Sequence, residues 1–361
     1  MTENDPASTG RAVFAIPGDL DARTGGYIYD KTLAAGLRKL GWEVEVLNLG
    51  RSFPHPNPPD MAAALDALAA VPSDAVLLID GLAYGALDTG GIHRVKAPIC
   101  ALVHHPLALE SGVPADRAAA LKAIETANLK IARHVLVTSP HTAGTLTKDF
   151  AVPAAKITVA LPGTERPSSP RQEPQTPHIL AVGSLTRRKG HDILLDALAQ
   201  VQDLDWTAEI VGGPHDPAVA AALPEQAARL GLTGRVRFIG ELDRADLNAC
   251  YQRASIFALA TRYEGYGMVF AEATAYGLPI VSCAAGAVPE TVPAGSSILV
   301  PPEDASAFAD ALRSLLTDNA KLAALTEGAQ AAAEDLPTWE DAARLAGDAL
   351  TAAQTPDLPA R

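Results

Sequence analysis

Apolar residues recur along the chain at two alternating spacings. Short aliphatic runs such as RAVFAIPG, from Arg11, and WEVEVLNL, from Trp42, are typical of strands. The stretch between them has apolar residues at helical spacing, namely Ile28, Leu33, Ala34, Leu37 and Leu40. Gly41 ends this helical pattern, as glycine often does at a helix C-terminus. We therefore predict a strand, a glycine-containing loop, a helix and a second strand, which is a βαβ unit.

The same alternation continues through both halves of the chain. Buried parallel strands are predicted in the first half at AVLLIDG, ICALVHH and HVLVTSP, and in the second at ILAVG, WTAEIVGG, VRFIG, SIFALA, PIVSCA and SILVP. We predict the α/β class, with two Rossmann-like, doubly wound parallel-sheet domains at residues 1–164 and 178–338 and a linker at 165–177. A helix at about 339–361 is expected to pack back on the first domain. Ligands of such folds bind in crevices at the carboxyl ends of the strands, here expected between the domains.

Charge and composition exclude several classes of protein. The 361 residues carry a net charge of −13, and residues 167–361 hold 14 Lys and Arg against 25 Asp and Glu. A nucleic-acid-binding protein usually shows the opposite sign. Apolar runs fall short of the roughly 18 residues of a membrane span, and the polar start MTENDPASTG is unlike a secretory signal. We therefore expect a cytoplasmic location.

The stretch RYEGYGMVFAE contains two glutamates on either side of a predicted helix start near Gly267. Glu264 lies in the preceding loop and Glu272 about one turn into the helix. Because the first amides of a helix have no intrahelical acceptor, this start suits an anion or a sugar hydroxyl. The alternative is that Glu264 only caps the helix and Glu272 is only solvated.

A cationic loop follows the first predicted strand of the second domain, in VGSLTRRKGHDILL. Its residues Arg187, Arg188 and Lys189 could neutralise a diphosphate leaving group. A solvated run of charges is the alternative. However, cations at a helix N-terminus oppose the helix dipole, and this unfavourable placement favours a function.

Two features of the first half also lie at predicted strand ends. Gly25 and Gly26 would let a ligand approach the backbone closely, although a turn that needs glycine is an equal alternative. His104 and His105 end a buried strand, where a structural role is equally plausible. Neither a dinucleotide fingerprint nor a metal-binding spacing is present, so no metal site is predicted.

The motifs VGSLTRRKGHDILLDAL, EGYGMVFAEATAYGLPIV, GAVPETV and ILVPPEDASAFADAL together resemble the family-4 retaining glycosyltransferases, which have the GT-B architecture. The resemblance extends over nearly the whole chain. It implies a UDP- or GDP-sugar donor held mainly by the second domain, an acceptor-side first domain, and no required cofactor. It also implies that no protein nucleophile is needed, since positioning and stabilisation of the leaving diphosphate would carry catalysis.

Roles in the second domain follow from the resemblance. Glu264 would bind hydroxyl groups of the donor sugar, and Glu272 would bind the nucleotide ribose. Lys189 would face the diphosphate. Ser184 stands where the family often has Arg, and Arg188 would substitute for that cation.

The resemblance also assigns the glycine loops and the histidine. The backbone of Gly265, Tyr266, Gly267 and Met268 would face the sugar and phosphate. Gly25 and Gly26 match the family's glycine pair near the diphosphate and acceptor. His104 matches the donor-facing histidine, with His105 as the alternative register. The expected catalytic residues are thus His104, Lys189 and Glu264.

Other functions are compatible with a two-domain fold of this kind. A sugar-nucleotide epimerase or a non-catalytic sugar-binding protein are the main alternatives, although a binding protein would not need the basic loop. The acceptor could be a lipid, a glycan or a small molecule. The predicted helix from Tyr27 to Leu40 carries Lys31, Arg38 and Lys39 and could touch the inner face of a membrane weakly. A βαβ helix with a solvated basic edge is the alternative.

Overall fold

The computed structural model describes residues 9–355, apart from 111, 168, 170 and 173. Three positions of the predicted linker and the end of the predicted helix at 339–361 therefore lie outside the described residues. The chain divides into two compact units. The first comprises the residues up to Gly163 and those from Pro337 onward, and the second comprises Thr164–Leu336.

A parallel sheet forms the centre of the first unit. Its strands are β1 (Gly10–Ile16), β2 (Trp42–Asn48), β3 (Val76–Asp80), β4 (Ile99–Val103), β5 (His134–Val137) and β6 (Ile157–Val159). Its helices are α1 (Gly25–Lys39), α2 (Pro58–Ala69), α3 (Gly81–Tyr84), α4 (Thr89–Ile92), α5 (Ala115–Ile131), α6 (Pro140–Asp149) and the final helix of the chain, α14 (Trp339–Gln354). The strand order is β2-β1-β3-β4-β5-β6, so the direction of winding reverses between β1 and β3.

Packing of α14 covers one face of this sheet. Leu37 of α1 and Leu350 of α14 are fully buried in one apolar cluster with Phe14 of β1. The apolar face of α1 faces this cluster, whereas Ile28 on its other side is 42% exposed. Burial of such a face, rather than intrinsic propensity, stabilises most helices of a globular protein.

The second unit has a parallel sheet of its own. Its strands are β7 (His178–Val182), β8 (Thr207–Val211), β9 (Val236–Gly240), β10 (Ile256–Leu259), β11 (Ile280–Cys283) and β12 (Ser297–Val300). Its helices are α7 (His191–Ala199), α8 (Pro217–Arg229), α9 (Arg244–Arg253), α10 (Met268–Ala275), α11 (Val288–Thr291), α12 (Ala305–Thr317) and α13 (Asn319–Ala332). The order β12-β11-β10-β7-β8-β9 is that of a Rossmann sheet, with its reversal between β7 and β10.

These topologies confirm the predicted class of two doubly wound parallel sheets. The strands of both sheets pair in parallel throughout the described residues. No helix within the described part of the chain has the length and apolar character needed to cross a membrane.

Candidate functional site

The basic loop and the glutamate loop meet at the reversal point of the second sheet. A 3₁₀ turn at Arg187–Lys189 follows β7, and the loop that contains Glu264 follows β10. Because β7 and β10 are neighbours, the carboxyl ends of both strands lie side by side. This is the position at which open α/β sheets bind ligands.

The carboxylate of Glu264 is buried among hydrogen-bond donors. Its Oε1 accepts a hydrogen bond from Lys189 Nζ at 2.7 Å, and its Oε2 accepts one from Arg188 at 3.2 Å. The Thr261 hydroxyl lies 3.0 Å from Oε1 and 3.1 Å from the carbonyl oxygens of both Arg188 and Tyr263, so its one proton can serve any one of these three acceptors. The side chain of Glu264 is only 5% exposed, so these contacts are shielded from solvent.

The two cations keep Glu264 ionised. Burial raises the pKa of this carboxyl group, but the Lys189 ammonium and the Arg188 guanidinium outweigh burial, and the pKa lies below its ordinary value. The site therefore brings two cations against one ionised carboxylate. Such a site can stabilise negative charge that develops on a bound anion.

Backbone contacts lock the two loops together. The amide of Arg262 donates a hydrogen bond to the carbonyl oxygen of Arg188 at 2.8 Å. Gly190 has a φ of 65°, and a Cβ at this position would lie 1.9 Å from the carbonyl oxygen of Ala260. Only glycine fits such a left-handed conformation and close approach. Lys189 therefore lies between two backbone contacts that join the loops, one at Arg188 and one at Gly190.

The glycine loop leads directly into α10. Gly267 caps this helix with a φ of 92°, and a Cβ there would lie 2.7 Å from the Phe270 ring. Tyr266 is buried, and its carbonyl oxygen accepts a hydrogen bond from the Thr291 hydroxyl at 2.6 Å. Burial raises the pKa of the Tyr266 hydroxyl to about 12, so it stays protonated. Gly265 and Met268 are half-buried on either side of this pair.

Glu272 has partners different from those of Glu264. Its Oε1 accepts a hydrogen bond from Arg244 at 2.6 Å, and its Oε2 accepts one from the Tyr251 hydroxyl at 2.8 Å. Arg244 also lies 3.6 Å from Glu165. Both of the main partners are on α9, so Glu272 ties α10 to α9.

A second polar cluster lies at the reversal point of the first sheet. His104, just after β4, lies with its Nε2 2.9 Å from Asp30 Oδ1 and 3.6 Å from Asp80 Oδ2. A Cβ at Gly26, in the first turn of α1, would lie 3.6 Å from the His104 ring. His105 lies with its Nε2 3.8 Å from a Glu110 carboxylate oxygen. A cavity of about 170 Å³ adjoins the cluster.

The charges of this cluster depend on one another. Burial lowers the pKa of His104, but Asp30 and Asp80 outweigh it, and the pKa lies above its ordinary value. Burial and the Asp30 charge raise the pKa of Asp80 to about 7, although His104 and backbone amides oppose this rise. The cluster therefore favours an imidazolium at His104 and opposes ionisation of the Asp80 carboxyl group.

Comparison with known families shows what the second unit is similar to. Residues 176–318 match the family model described as "Glycosyl transferases group 1". The second unit is therefore similar to this glycosyltransferase family. The match spans the sheet from β7 to β12, so it includes both Lys189 and Glu264.

Curated relatives resemble part of the chain. A D-inositol 3-phosphate glycosyltransferase of Corynebacterium kroppenstedtii is 34% identical over 212 residues, which are 55% of this chain and 47% of that protein. The lipopolysaccharide core biosynthesis mannosyltransferase LpsB of Rhizobium meliloti is 31% identical over 160 residues, 42% and 45% of the two chains. The chain thus aligns with about half the length of these relatives.

Solved structures resemble nearly the whole chain. A sucrose-phosphate synthase of Thermosynechococcus elongatus superposes with a TM-score of 0.79 and 23% identity over 94% of this chain and 98% of that one. HepE of Anabaena, in complex with UDP-glucose, gives a TM-score of 0.75 and 19% identity over 94% and 99%. These similarities confirm the GT-B fold.

The structure brings some predicted site residues together and separates others. Lys189, Arg188 and Glu264 share one cluster, whereas Glu272 bonds to α9. Ser184, two residues after β7, is half-buried, and Arg188 already contacts Glu264. Gly25 opens α1 directly beside Gly26.

Sequence reasoning missed three polar residues of these clusters: Thr261, Asp30 and Asp80. Asp80 ends β3 next to His104's strand, so the argument that selected His104 could also have selected it. Asp30 lies four residues after Gly26, on the same face of α1. Asp30, Asp80 and His104 place one ligand atom each within 4.8 Å of one another, a set that could hold a metal ion. The predicted lack of a metal stays a prediction.

Proposed function

We propose that this protein is a retaining glycosyltransferase of the GT-B type, which moves a hexose from a UDP- or GDP-sugar to an acceptor. The observation that carries the proposal is the buried cluster of Lys189, Arg188 and Glu264 at the reversal point of a group 1 glycosyltransferase sheet. HepE, which has a similar fold, is described in complex with UDP and with UDP-glucose. We assign the nucleotide sugar mainly to the second unit, and the acceptor to the first.

The proposed reaction breaks the bond between the sugar C1 and the diphosphate oxygen. The electron pair leaves with the diphosphate, and Lys189 and Arg188 stabilise this charge. The acceptor hydroxyl oxygen then bonds to C1 on the same face, and its proton passes to the departing diphosphate oxygen. No metal or cofactor is required by this scheme, since two cations already lie at the site.

The other site residues position the donor in this proposal. Glu264 holds Lys189 and Arg188 in place and accepts hydrogen bonds from the sugar hydroxyls. The amides of the Gly265–Met268 segment face the sugar and phosphate. Glu272 would accept hydrogen bonds from the ribose once Arg244 no longer donates to its Oε1. His104, fixed by Asp30, would face the donor sugar.

The first test is calorimetric titration with UDP, GDP, ADP and their sugars, first without added metal and then with EDTA. One nucleoside diphosphate should bind, and release of that diphosphate from its sugar should fall about 10²-fold in Lys189→Met. Lys321→Met, which removes an exposed lysine of the same unit, is the matched control and should behave as wild type. Nucleotide binding that is lost in EDTA would contradict a metal-free site.

The stereochemistry and the rival functions need separate readouts. Proton NMR of the first-formed product should show the anomeric configuration of the donor, and inversion would refute a retaining reaction. Binding of free sugars with no response to any nucleotide would favour a sugar-binding protein. A new sugar nucleotide formed without an acceptor would favour an epimerase.

Contact with the inner face of a membrane, and a lipid acceptor there, are further proposals for α1. Lys31 pairs with Asp21 at 2.5 Å, which offsets its charge, whereas Arg38 donates to the neutral carbonyl oxygen of Val44 at 2.8 Å and keeps its charge. We expect any attraction to anionic lipid to be weak, because one of the helix cations is already paired with a carboxylate. Co-sedimentation with vesicles of phosphatidylglycerol tests it, and protein wholly in the supernatant would contradict it.

A further inference from the structure

The guanidinium group of Arg262 joins three segments of the second unit. Arg262 lies in the loop after β10, and its side chain is only 11% exposed. It donates to both carboxylate oxygens of Asp192 at 2.8 Å, and its Nε and Nη2 donate to the carboxylate of Glu303. A further hydrogen bond of 2.5 Å reaches the carbonyl oxygen of Arg187. We call the side chains of Arg262, Asp192 and Glu303 the arginine clamp.

The arginine clamp holds the turn that carries the cations of the candidate site. Arg262 binds the carbonyl oxygen of Arg187 through its side chain and that of Arg188 through its amide, the latter at 2.8 Å. Lys189 follows directly in the same 3₁₀ turn. Asp192 lies in the first turn of α7, where the helix dipole also favours a carboxylate. One residue therefore fixes two successive carbonyl oxygens of the basic turn.

Glu303 contributes to the arginine clamp from an unfavourable backbone conformation. Its φ is 63°, in the left-handed region that residues other than glycine rarely adopt. It lies in the loop between β12 and α12, and its side chain is 59% exposed. Strain of this kind persists where the surrounding contacts determine the conformation, and it is concentrated at functional sites. Together with the contacts of Arg262, this strain indicates that the arginine clamp serves the adjoining site.

The guanidinium group of Arg262 is occupied within the protein. Each of its N–H groups has an acceptor, and its charge faces two carboxylates, those of Asp192 and Glu303. The two cations of the buried cluster instead share the single carboxylate of Glu264. The geometry therefore suits Arg262 to holding other groups in place rather than to binding a phosphate itself.

We propose that Arg262 is a positioning residue for the nucleoside diphosphate, because the arginine clamp holds Arg188 and Lys189 in a fixed geometry toward it. The proposal rests on the glycosyltransferase function proposed above and adds a residue that does not contact the ligand. Charges that are fixed beforehand stabilise a developing negative charge without reorganisation when it forms. A small displacement of such groups can lower the rate by about 10²-fold.

The central variant is Arg262→Lys, which keeps the positive charge but loses the planar fork of donors. The affinity for the nucleoside diphosphate that binds the wild type should fall at least about tenfold in calorimetry. The affinity for the corresponding nucleoside, followed by NMR titration, should change by less than about threefold, because a nucleoside has no phosphate to position. The kcat for release of the diphosphate from its sugar should also fall at least about tenfold.

Arg313→Lys is the matched control. Arg313 of α12 also binds both oxygens of one carboxylate, that of Asp203, at 2.7 Å, and it donates to the carbonyl oxygen of Gln200 at 2.7 Å. These partners lie after the C-terminal end of α7 rather than at the basic turn, so both affinities should stay those of wild type. Equal losses in the two variants, or full retention in Arg262→Lys, would overturn the proposal.

Glu303→Gln separates position from charge, and it serves as the test if Arg262→Lys does not fold. Removal of a negative charge should by electrostatics alone tighten the binding of a diphosphate. Loosening of the arginine clamp should instead weaken this binding, by about threefold or more. Tighter binding in Glu303→Gln would therefore contradict a positioning role.

Failure of this proposal can be distinguished from failure of the glycosyltransferase proposal. If the wild type binds no nucleoside diphosphate, both proposals are wrong. If it binds one and the affinity is unchanged in Arg262→Lys and in Glu303→Gln, only the positioning role of the arginine clamp is wrong.

Discussion

The two glutamates of the EGYGMVFAE stretch should differ sharply in how much they stabilise the fold. In Glu264→Gln the amide NH₂ must face either Arg188 or Lys189, because the two cations contact opposite carboxylate oxygens. Lys189 is 9% exposed, so the change leaves a buried charge poorly paired. Breaking such a pair from one side costs about 3–5 kcal/mol.

Glu272→Gln is the matched control, since it is the same substitution nearby. Its amide oxygen can still accept the Tyr251 hydrogen bond, so only the ion pair with Arg244 is lost. The Arg244 side chain is 43% exposed, and solvent screens such a pair. We therefore expect a cost of only about 0.2–1 kcal/mol.

Urea unfolding of the second unit measures both values. Trp206 is buried in that unit, and substituting Phe for Trp42 and Trp339 of the first unit would leave Trp206 as the reporter. With a slope of about 2 kcal/mol per molar urea, Glu264→Gln should lower the midpoint by about 1.5–2.5 M, and Glu272→Gln by less than about 0.5 M. Equal midpoints for the two variants would refute the idea that Glu264 anchors the cations.

Three further predictions concern the same unit. The pKa of Glu264 is lowered in the folded state, so the ionised carboxylate contributes to stability above its unfolded pKa of about 4.3. This contribution is lost as pH falls through the folded pKa. Acid unfolding should show the loss in wild type but not in Glu264→Gln. Burial lowers the pKa of His191 to about 4, so its ring signals in NMR should stay those of a neutral imidazole at pH 5.5. Gly190→Ala should lower the free energy of unfolding in the urea assay by at least about 1–3 kcal/mol, because φ is 65° and the new Cβ would meet the Ala260 carbonyl oxygen. A decrease below about 0.5 kcal/mol would contradict this.

The fold could be predicted because its signals are local. Runs such as VLLID and ICALV are continuously apolar, and each became a strand buried at every position. The helix predicted from Tyr27 to Leu40 was expected from its apolar spacing, and α1 forms there, although it already begins at Gly25 and ends at Lys39, just before Gly41. Periodicity reports which faces are buried, and it therefore predicts element type well.

The partners within the sites could not be predicted in the same way. Lys189 and Glu264 are 75 residues apart, and their contact depends on β10 pairing with β7, which no local pattern reports. The sequence suggested that Glu264 and Glu272 serve one ligand from one loop and helix, and this stays a prediction. The contacts of Glu272 with Arg244 and Tyr251 of α9 were not foreseen.

Both clusters lie where the winding of a sheet reverses, yet their residue types differ. In the second unit Lys189 and Arg188 contact one carboxylate, that of Glu264. In the first unit His104 lies against two carboxylates, those of Asp30 and Asp80. The topology brings polar side chains to the same point of each sheet. The residues at the strand ends, rather than the fold, therefore decide which charged groups meet there.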